Sequence, residues 1–442
     1  VSDSFYSPFI NEEGRKLTIA EICFSDVEVM VAKQLEEGYQ LEFKREISST
    51  VKRKIPNIIA SFANEMGGWL IFGVDEDDYS INLLERKEYE LFIHNMLKDV
   101  TNPIPRIFTR FLSPEHTTEY GVFIIWIPEG LYPPYMSYGK IYRRIGSGTS
   151  PISEIDDRYH LDRLYQKSKD RMMRLEAFCT KELSIYNRKG LTHGEGYVYY
   201  GMCNMYVIPI YDLYLLEHMD EDKLKQYILS KSNEPKAYPM YEEVEMNVHL
   251  PFVKASHSAE SIIFRNTDVI DSYDKTVAWE QFVNGAAKFH IPIPYVEELD
   301  EVKSVLQECV PSYRNASIFD QFQYVDGHQF LTLLLSCLGE YIECMTQLNA
   351  ELEDMIVVID LENVRNDVLY FNHEAYKDFL REEGLVFSDK KHYRFNKSFR
   401  AMKLKEKNGE SLFQYVDYII NAFGLSRNKA LHFLMQSFYQ SK

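Results

Sequence analysis

The chain has 442 residues, 45% hydrophobic and 26% charged, with a formal net charge of −18. This mix excludes a disordered chain, and the acidic balance excludes a protein that coats nucleic acid by bulk charge, because phosphate binding needs a positive surface. At roughly 150 residues per domain, the length points to two or three domains. The six cysteines, at 23, 179, 203, 309, 337 and 344, form no CxxC pair, which argues against a zinc ribbon or a disulfide framework. No basic-then-apolar leader opens the sequence, and apolar runs such as GVFIIWI and FLTLLLSCL fall short of the roughly 18 residues of a membrane span. The expected setting is therefore the cytoplasm, with no membrane partner.

Residues 17–36 have helical apolar spacing that stops before Gly38. YQLEFKRE (39–46) alternates apolar and charged side chains like a half-buried strand. VKRKIPNIIASFANEM (51–66) predicts a helix with Pro56 in its first turn and Gly67-Gly68 at its end. WLIFGV (69–74), apolar on both faces, predicts an interior strand, and DEDD follows at its exit. A helix at about 87–99 leads through TNPIPR to a strand GVFIIWIP (121–128) and then to GKIYRRIGSGTSPI (139–152).

Residues 155–186 read as a charged amphipathic helix, with Leu161, Leu164, Tyr165, Met172 and Leu175 toward one face. From about 195 to 300 the pattern turns to β, with VYYGMCNMYVIPIYDLYLL, VEMNVHLPFV and KFHIPIPYV as strand candidates. Helical spacing returns from about 297 to the end. The expected fold class is α+β: a mixed α/β domain over residues 1–155, a helical connector over 156–190, a β-rich domain over 191–300 and a helical C-terminal region over 301–442.

On a strand YQLEFKR, Glu42 and Lys44 share one face while Phe43 points to the core. Glu37 precedes the Gly38 turn and Asp75 leaves the end of the next strand, so three carboxylates are expected to converge at one strand edge. Such a set suits Mg²⁺ or Mn²⁺, hard ions that take oxygen ligands and keep waters for chemistry. Phosphodiester cleavage is the natural use, with Lys44 offsetting charge that develops on the phosphate. The same residues also fit a solvated ion pair worth less than about 1 kcal/mol, and DEDD fits a solvated turn.

EEGYQLEFKRE, SFANEMGGWLIFGVDEDD and YRRIGSGTS, in this order and spacing, resemble the Schlafen-type AlbA_2 domain as found in prokaryotic Schlafen-like proteins, over about residues 31–155. Members carry E-x4-EFK, a SFANTxGGxLxxGVDD-like strand and YxRxGSxT. The resemblance implies an AlbA_2-like α/β domain associated with nucleic acid. In vertebrate Schlafens two glutamates and an aspartate form a metal-dependent RNase centre that cuts tRNA and rRNA. Carried over, the metal ligands fall on Glu37, Glu42 and Asp75, with Lys44 completing the catalytic set. GVDED stands where the family has GVDD, so Glu76 and Asp77 are further candidates. Many bacterial members with the same glutamates look like DNA-binding regulators.

Two expectations follow. One is a metal-dependent endoribonuclease acting on structured RNA such as tRNA, in a stress or anti-phage effector. The other is a non-catalytic nucleic-acid-binding regulator or adaptor, gripping DNA or RNA. The chain lacks the zinc-ligand pattern of vertebrate Schlafens and any GxxxxGK[ST] loop.

Arg45, Lys52, Arg53, Lys54, Arg143 and Arg144 form a prospective phosphate track, and the GSGTS turn offers backbone N–H groups. The plainer reading is a solvated helix face and a turn. His193-Gly-Glu195 resembles half of a deaminase motif, but no PCxxC follows, and neither HExxH nor GxSxG occurs. VDYIINAFGLSRNKALHFLMQSFY (416–439) predicts two helices broken at Gly424, suited to core packing, helix-turn-helix binding or dimerisation. The expected partners are RNA, tRNA first, or DNA. Self-association is expected because vertebrate Schlafens pair two such lobes in one chain, and the C-terminal half offers a surface for a protein partner. The β-rich middle has room for a sensing pocket but no ligand motif.

Overall fold

The computed structural model describes residues 6–12, 14–146, 151–180, 201–209, 221–231, 236–241, 244–248, 252–266, 276–310, 316–347, 354–400, 417–426, 428–430 and 432–433. The chain divides into two compact units, Val1–Thr180 and Lys181–Lys442.

In chain order, the first unit holds α1 (Phe24–Ala32), β1 (Leu41–Lys44), α2 (Ser49–Asn64), β2 (Gly68–Phe72), β3 (Leu84–Glu85) and α3 (Tyr89–Val100). There follow β4 (Thr101–Asn102), β5 (Phe108–Leu112), β6 (Tyr120–Ile127), β7 (Met136–Ser137), β8 (Lys140–Arg144), β9 (Ile152–Glu154) and α4 (Arg158–Thr180). β1 lies parallel to β2, and β6 runs antiparallel to β2, β3 and β5. A smaller sheet orders its strands β4-β7-β8-β9.

α2 shows why this unit is well determined. Ser48 caps its start, accepting the Val51 N–H at 3.3 Å. Ile55, Ile58, Ile59 and Phe62 recur at helical spacing and pack on Leu70, Phe72, Ile125 and Ile127 of the sheet. Each such side chain fully buried contributes roughly 1.5–3 kcal/mol. Because the helix starts at Ser49, Pro56 sits in its interior rather than in the expected first turn. At the exit, Gly67 has φ +74°, and a Cβ there would lie 2.6 Å from the Ile127 carbonyl oxygen. A Cβ on Gly68 would meet the Phe62 ring at 2.2 Å, so both positions of the Gly-Gly pair require glycine for α2 to turn directly into β2.

The second unit contains β10 (Met202–Pro209), α5 (Glu221–Lys231), β11 (Lys236–Tyr241), β12 (Val244–Val248), β13 (Lys254–His257), β14 (Ser261–Arg265), β15 (Ala278–Phe282) and β16 (Ala287–Pro292). It continues with α6 (Leu299–Cys309), β17 (Gln323–Asp326), α7 (Gly327–Gln347), β18 (Asp354–Glu362), β19 (Asp367–Tyr370), α8 (Glu374–Glu383) and β20 (His392–Arg400). Seven strands form an antiparallel sheet in the order β13-β14-β15-β16-β10-β18-β20. Met205, Val207, Phe264, Trp279 and Phe289 of this sheet share a core with Leu334, Leu338 and Tyr341 of α7.

This sheet corrects the expected domain plan. β18 and β20 come from the stretch read as helical, yet β18 pairs with β10 and β20 pairs with β18, so residues 191–300 and 301–442 do not form separate domains. The apolar run MIVVIDL escapes a local reading because it lies between two helical stretches. α4 likewise belongs to the first unit as far as Thr180. Near the C-terminus, residues 417–422 are helical and Gly424 has φ +78°. Ile419, Ile420, Phe423 and Phe433 join the core, so the described part of this segment packs inward.

Candidate functional site

The parallel pairing of β1 with β2 sets Lys44 opposite Phe72, and Gly73 N–H donates to the Lys44 carbonyl at 2.8 Å. The two strands therefore end side by side, and the chain leaving β2 carries Asp75 and Glu76 past the end of β1. On β1 the alternation holds as expected: Phe43 is buried in the core, while Glu42 and Lys44 share the opposite face. Glu37 folds back from before the Gly38 turn, and its Oε1 accepts the Phe43 N–H at 2.5 Å.

Lys44 is the hub of the cluster. Its Nζ lies 2.9 Å from Glu42 Oε1, 3.4 Å from Glu37 Oε1 and 3.3 Å from Glu76 Oε2. The other Glu42 oxygen, Oε2, is 2.7 Å from Arg144 Nη1. The Arg144 side chain has no exposed surface; it also donates to the carbonyls of Gly38 and Leu41 and lies over the Phe62 ring, 4.3 Å from its centroid. Burial, together with the negative charges of Glu42 and Glu76, pushes the Glu37 carboxyl up to about 7, against the opposing pull of Lys44 and the Phe43 N–H. Burial draws the Lys44 ammonium down, but the charges of Glu42 and Glu37 outweigh it and leave Lys44 above its ordinary value.

The sequence-derived residues thus fall into three groups. Glu37, Glu42 and Lys44 are brought together. Asp75 is not: its Oδ2 lies 3.4 Å from Arg45 Nη1, and its Oδ1 accepts the Asp77 N–H at 3.0 Å. Glu76 takes the place beside Lys44. Arg45, Lys52, Arg53 and Lys54 are exposed, with Lys52 4.9 Å above the Phe92 ring. Arg144 differs from the expectation of a phosphate contact, because it is enclosed by the domain and committed to Glu42. Arg143 is half-buried and paired with His160, whose Nδ1 lies 2.7 Å from Asp157 Oδ2. Of the GSGTS turn only Gly146 is described, packed beside Tyr39; residues 147–150, like His193 and Glu195, lie outside the described residues.

Among the described residues, no three His, Cys, Asp or Glu side chains stand arranged as a metal site. The point between Glu37, Glu42 and Glu76 is filled by Lys44 Nζ. The donor set itself, carboxylate oxygens only, has the chemistry of a hard-cation site.

Sequence reasoning missed two supports of the cluster. Phe62 forms the floor under Arg144. Asn64 donates to the carbonyls of Tyr135 and Tyr142 at 2.9 and 2.8 Å, and accepts the Tyr135 N–H at 2.6 Å. It thereby fixes the strand that carries Arg144 to the end of α2. Both residues lie in SFAN, whose place in the family pattern is the one signal that marks them.

The strands, the glycine pair and the charged cluster belong to one α+β unit of the chain. Residues 37–153 match the family model for the Schlafen AlbA_2 domain. Among curated proteins there is no match. Among solved structures, the DIP2311 protein from Corynebacterium diphtheriae is similar at 14% identity over 33% of this chain, with a TM-score of 0.24, too low to define a shared fold. The match spans a third of that protein's length. Among the described residues, no helix is long and apolar enough to cross a membrane.

Proposed function

We propose that the AlbA_2 domain is a metal-dependent endoribonuclease acting on structured RNA such as tRNA, in a stress or anti-phage setting. The observation that carries this reading is the convergence of Glu37, Glu42 and Glu76 on the one ammonium of Lys44. Three carboxylates exceed the two cations of the cluster, Lys44 and Arg144, by one charge, and burial together with Glu42 and Glu76 raises the Glu37 carboxyl. A divalent ion with oxygen preference, Mg²⁺ or Mn²⁺, matches that surplus. Glu37, Glu42 and an acid of the GVDED turn, Asp75 or Glu76, would hold it.

Such an ion supplies charge neutralisation at a phosphate and a bound water of lowered pKa. Lys44, displaced from the carboxylates, offsets the negative charge that grows on the scissile phosphate. Arg144 keeps Glu42 in one orientation, which a ligand or an electrostatic group needs. The exposed Arg45, Lys52, Arg53 and Lys54 hold the RNA backbone and set its register.

One observation favours a second reading, a non-catalytic nucleic-acid-binding regulator or adaptor. Both Glu42 oxygens already face cations, Arg144 and Lys44, and Asp75 faces Arg45, so the cluster is closed by its own basic residues. Incubating the full chain with total tRNA and Mn²⁺, beside an EDTA control, separates the two. Cleavage abolished by EDTA supports the nuclease. A salt-sensitive gel shift of intact tRNA, unchanged by EDTA, supports the regulator.

A further inference from the structure

A cavity of about 360 Å³ in the second unit lies where three helices begin. The N-cap residues of α6 and α8, Glu298 and His373, line it, as does Asp326, which caps α7 by accepting the Gln329 N–H at 2.9 Å. β17 and β19, parallel neighbours, end at Asp326 and Tyr370 on the same cavity, at the carboxyl ends of strands where open sheets bind ligands. The volume falls in the range of small-molecule sites.

His373 supplies the observation that points to a ligand. It is 8% exposed, and its Nδ1 accepts the Ala375 N–H at 3.1 Å. An accepting Nδ1 carries no proton, so the proton sits on Nε2. His373 lines the cavity, and its bond to Ala375 holds the ring so that Nε2–H is the donor it has left to offer.

The rest of the lining narrows the chemistry. Glu298, Glu301 and Asp326 supply carboxylates, His328 and Asn372 add a second imidazole and an amide, and the described lining contains no lysine or arginine, which disfavours phosphate and carboxylate ligands. The His373 donor needs an acceptor on the ligand, which a simple ammonium lacks. Tyr370, Phe371, Val296 and Val302 add apolar and aromatic surface. A planar neutral heterocycle, with an amino group beside a ring nitrogen, satisfies both sets of groups. We infer that this cavity binds an amino-bearing nucleobase, as the free base or nucleoside, with a carboxylate accepting the amino group and His373 Nε2–H donating to the ring nitrogen. The cavity belongs to the second unit, and its occupation does not depend on the nuclease reading.

The test is calorimetric titration of the full chain with adenosine, guanosine and cytidine, beside uridine, adenosine monophosphate and spermine. The expected result is saturable binding of at least one amino-bearing nucleoside, at least tenfold weaker binding of uridine and of the monophosphate, and none of spermine. The variant His373→Asn keeps a capping acceptor for α8 but removes the donor, so it should retain the wild-type circular dichroism and melting temperature and lose at least tenfold in affinity. If His373→Asn fails to fold, Asp326→Asn, which also preserves its cap, replaces it with the same expectation. Failure of all three nucleosides to bind at millimolar concentration, equal binding of uridine, tighter binding of spermine, or unchanged affinity in the folded variant would overturn the assignment.

Discussion

Arg144 and Glu42, 102 residues apart in sequence, meet at 2.7 Å with 0% and 4% of their side chains exposed. This pair joins β8 to β1 and fixes the carboxylate around which the candidate site is built. Removing one partner of a buried ion pair leaves an uncompensated charge and costs about 3–5 kcal/mol. Arg144→Ala is therefore expected to lower the stability of the AlbA_2 domain by that order, measured by urea unfolding with Trp69 or Trp126 fluorescence. Arg53→Ala, at an exposed position, is expected to change stability by less than about 0.5 kcal/mol.

Lys44 is predicted to matter for cleavage and little for binding. Lys44→Met keeps an unbranched side chain only one atom shorter and removes the charge opposite three carboxylates. The expected outcome is at least a hundredfold loss of tRNA cleavage, with affinity for intact tRNA within threefold of wild type. Equal losses in both would mean that Lys44 serves to bind phosphate.

Lys52, Arg53 and Lys54 stand exposed on α2. If they neutralise RNA phosphates, replacing all three by alanine releases about three fewer counterions on binding. The slope of log affinity against log salt should then flatten by about 0.7–0.9 for each phosphate left without its cation. The helix itself should persist, because its core face is Ile55, Ile58, Ile59 and Phe62.

In the second unit, Asp367 is 1% exposed and its Oδ2 accepts from the Tyr295 hydroxyl at 2.8 Å. Burial raises its carboxyl to about 7, against a lowering by the Tyr295 hydrogen bond. The folded state thus binds this proton more tightly than the unfolded chain does. The stability it contributes is full below about pH 4 and is lost as pH rises through about 7. Asp367→Asn is expected to flatten the decline in stability between pH 4 and 7, as read by chemical denaturation at several pH values.

Much of the first unit was legible in the sequence because its signals are local. The alternation in QLEFK, the apolar spacing in α2 and the Gly-Gly break depend on near neighbours, and each element appears within a few residues of its expected place. The pairing of Glu42 with Arg144 was not legible, since nothing near YRRIG marks its second arginine as buried. Nor was the exchange of Asp75 for Glu76 beside Lys44, which depends on how one turn leaves β2. The seven-stranded sheet was obscured for the same reason: β10 finds β16 and β18 across long stretches of chain, and β18 and β20 lie among helices.

The most direct test of the nuclease reading is tRNA cleavage by Glu37→Gln against wild type, both with Mn²⁺. Glu37 is the informative carboxylate because it is only partly buried and has no arginine partner to strand, unlike Glu42. Wild-type cutting, with loss of at least a hundredfold in a Glu37→Gln protein that melts normally, is the predicted result. Wild type that leaves tRNA intact, or Glu37→Gln that cuts it equally well, would contradict the account.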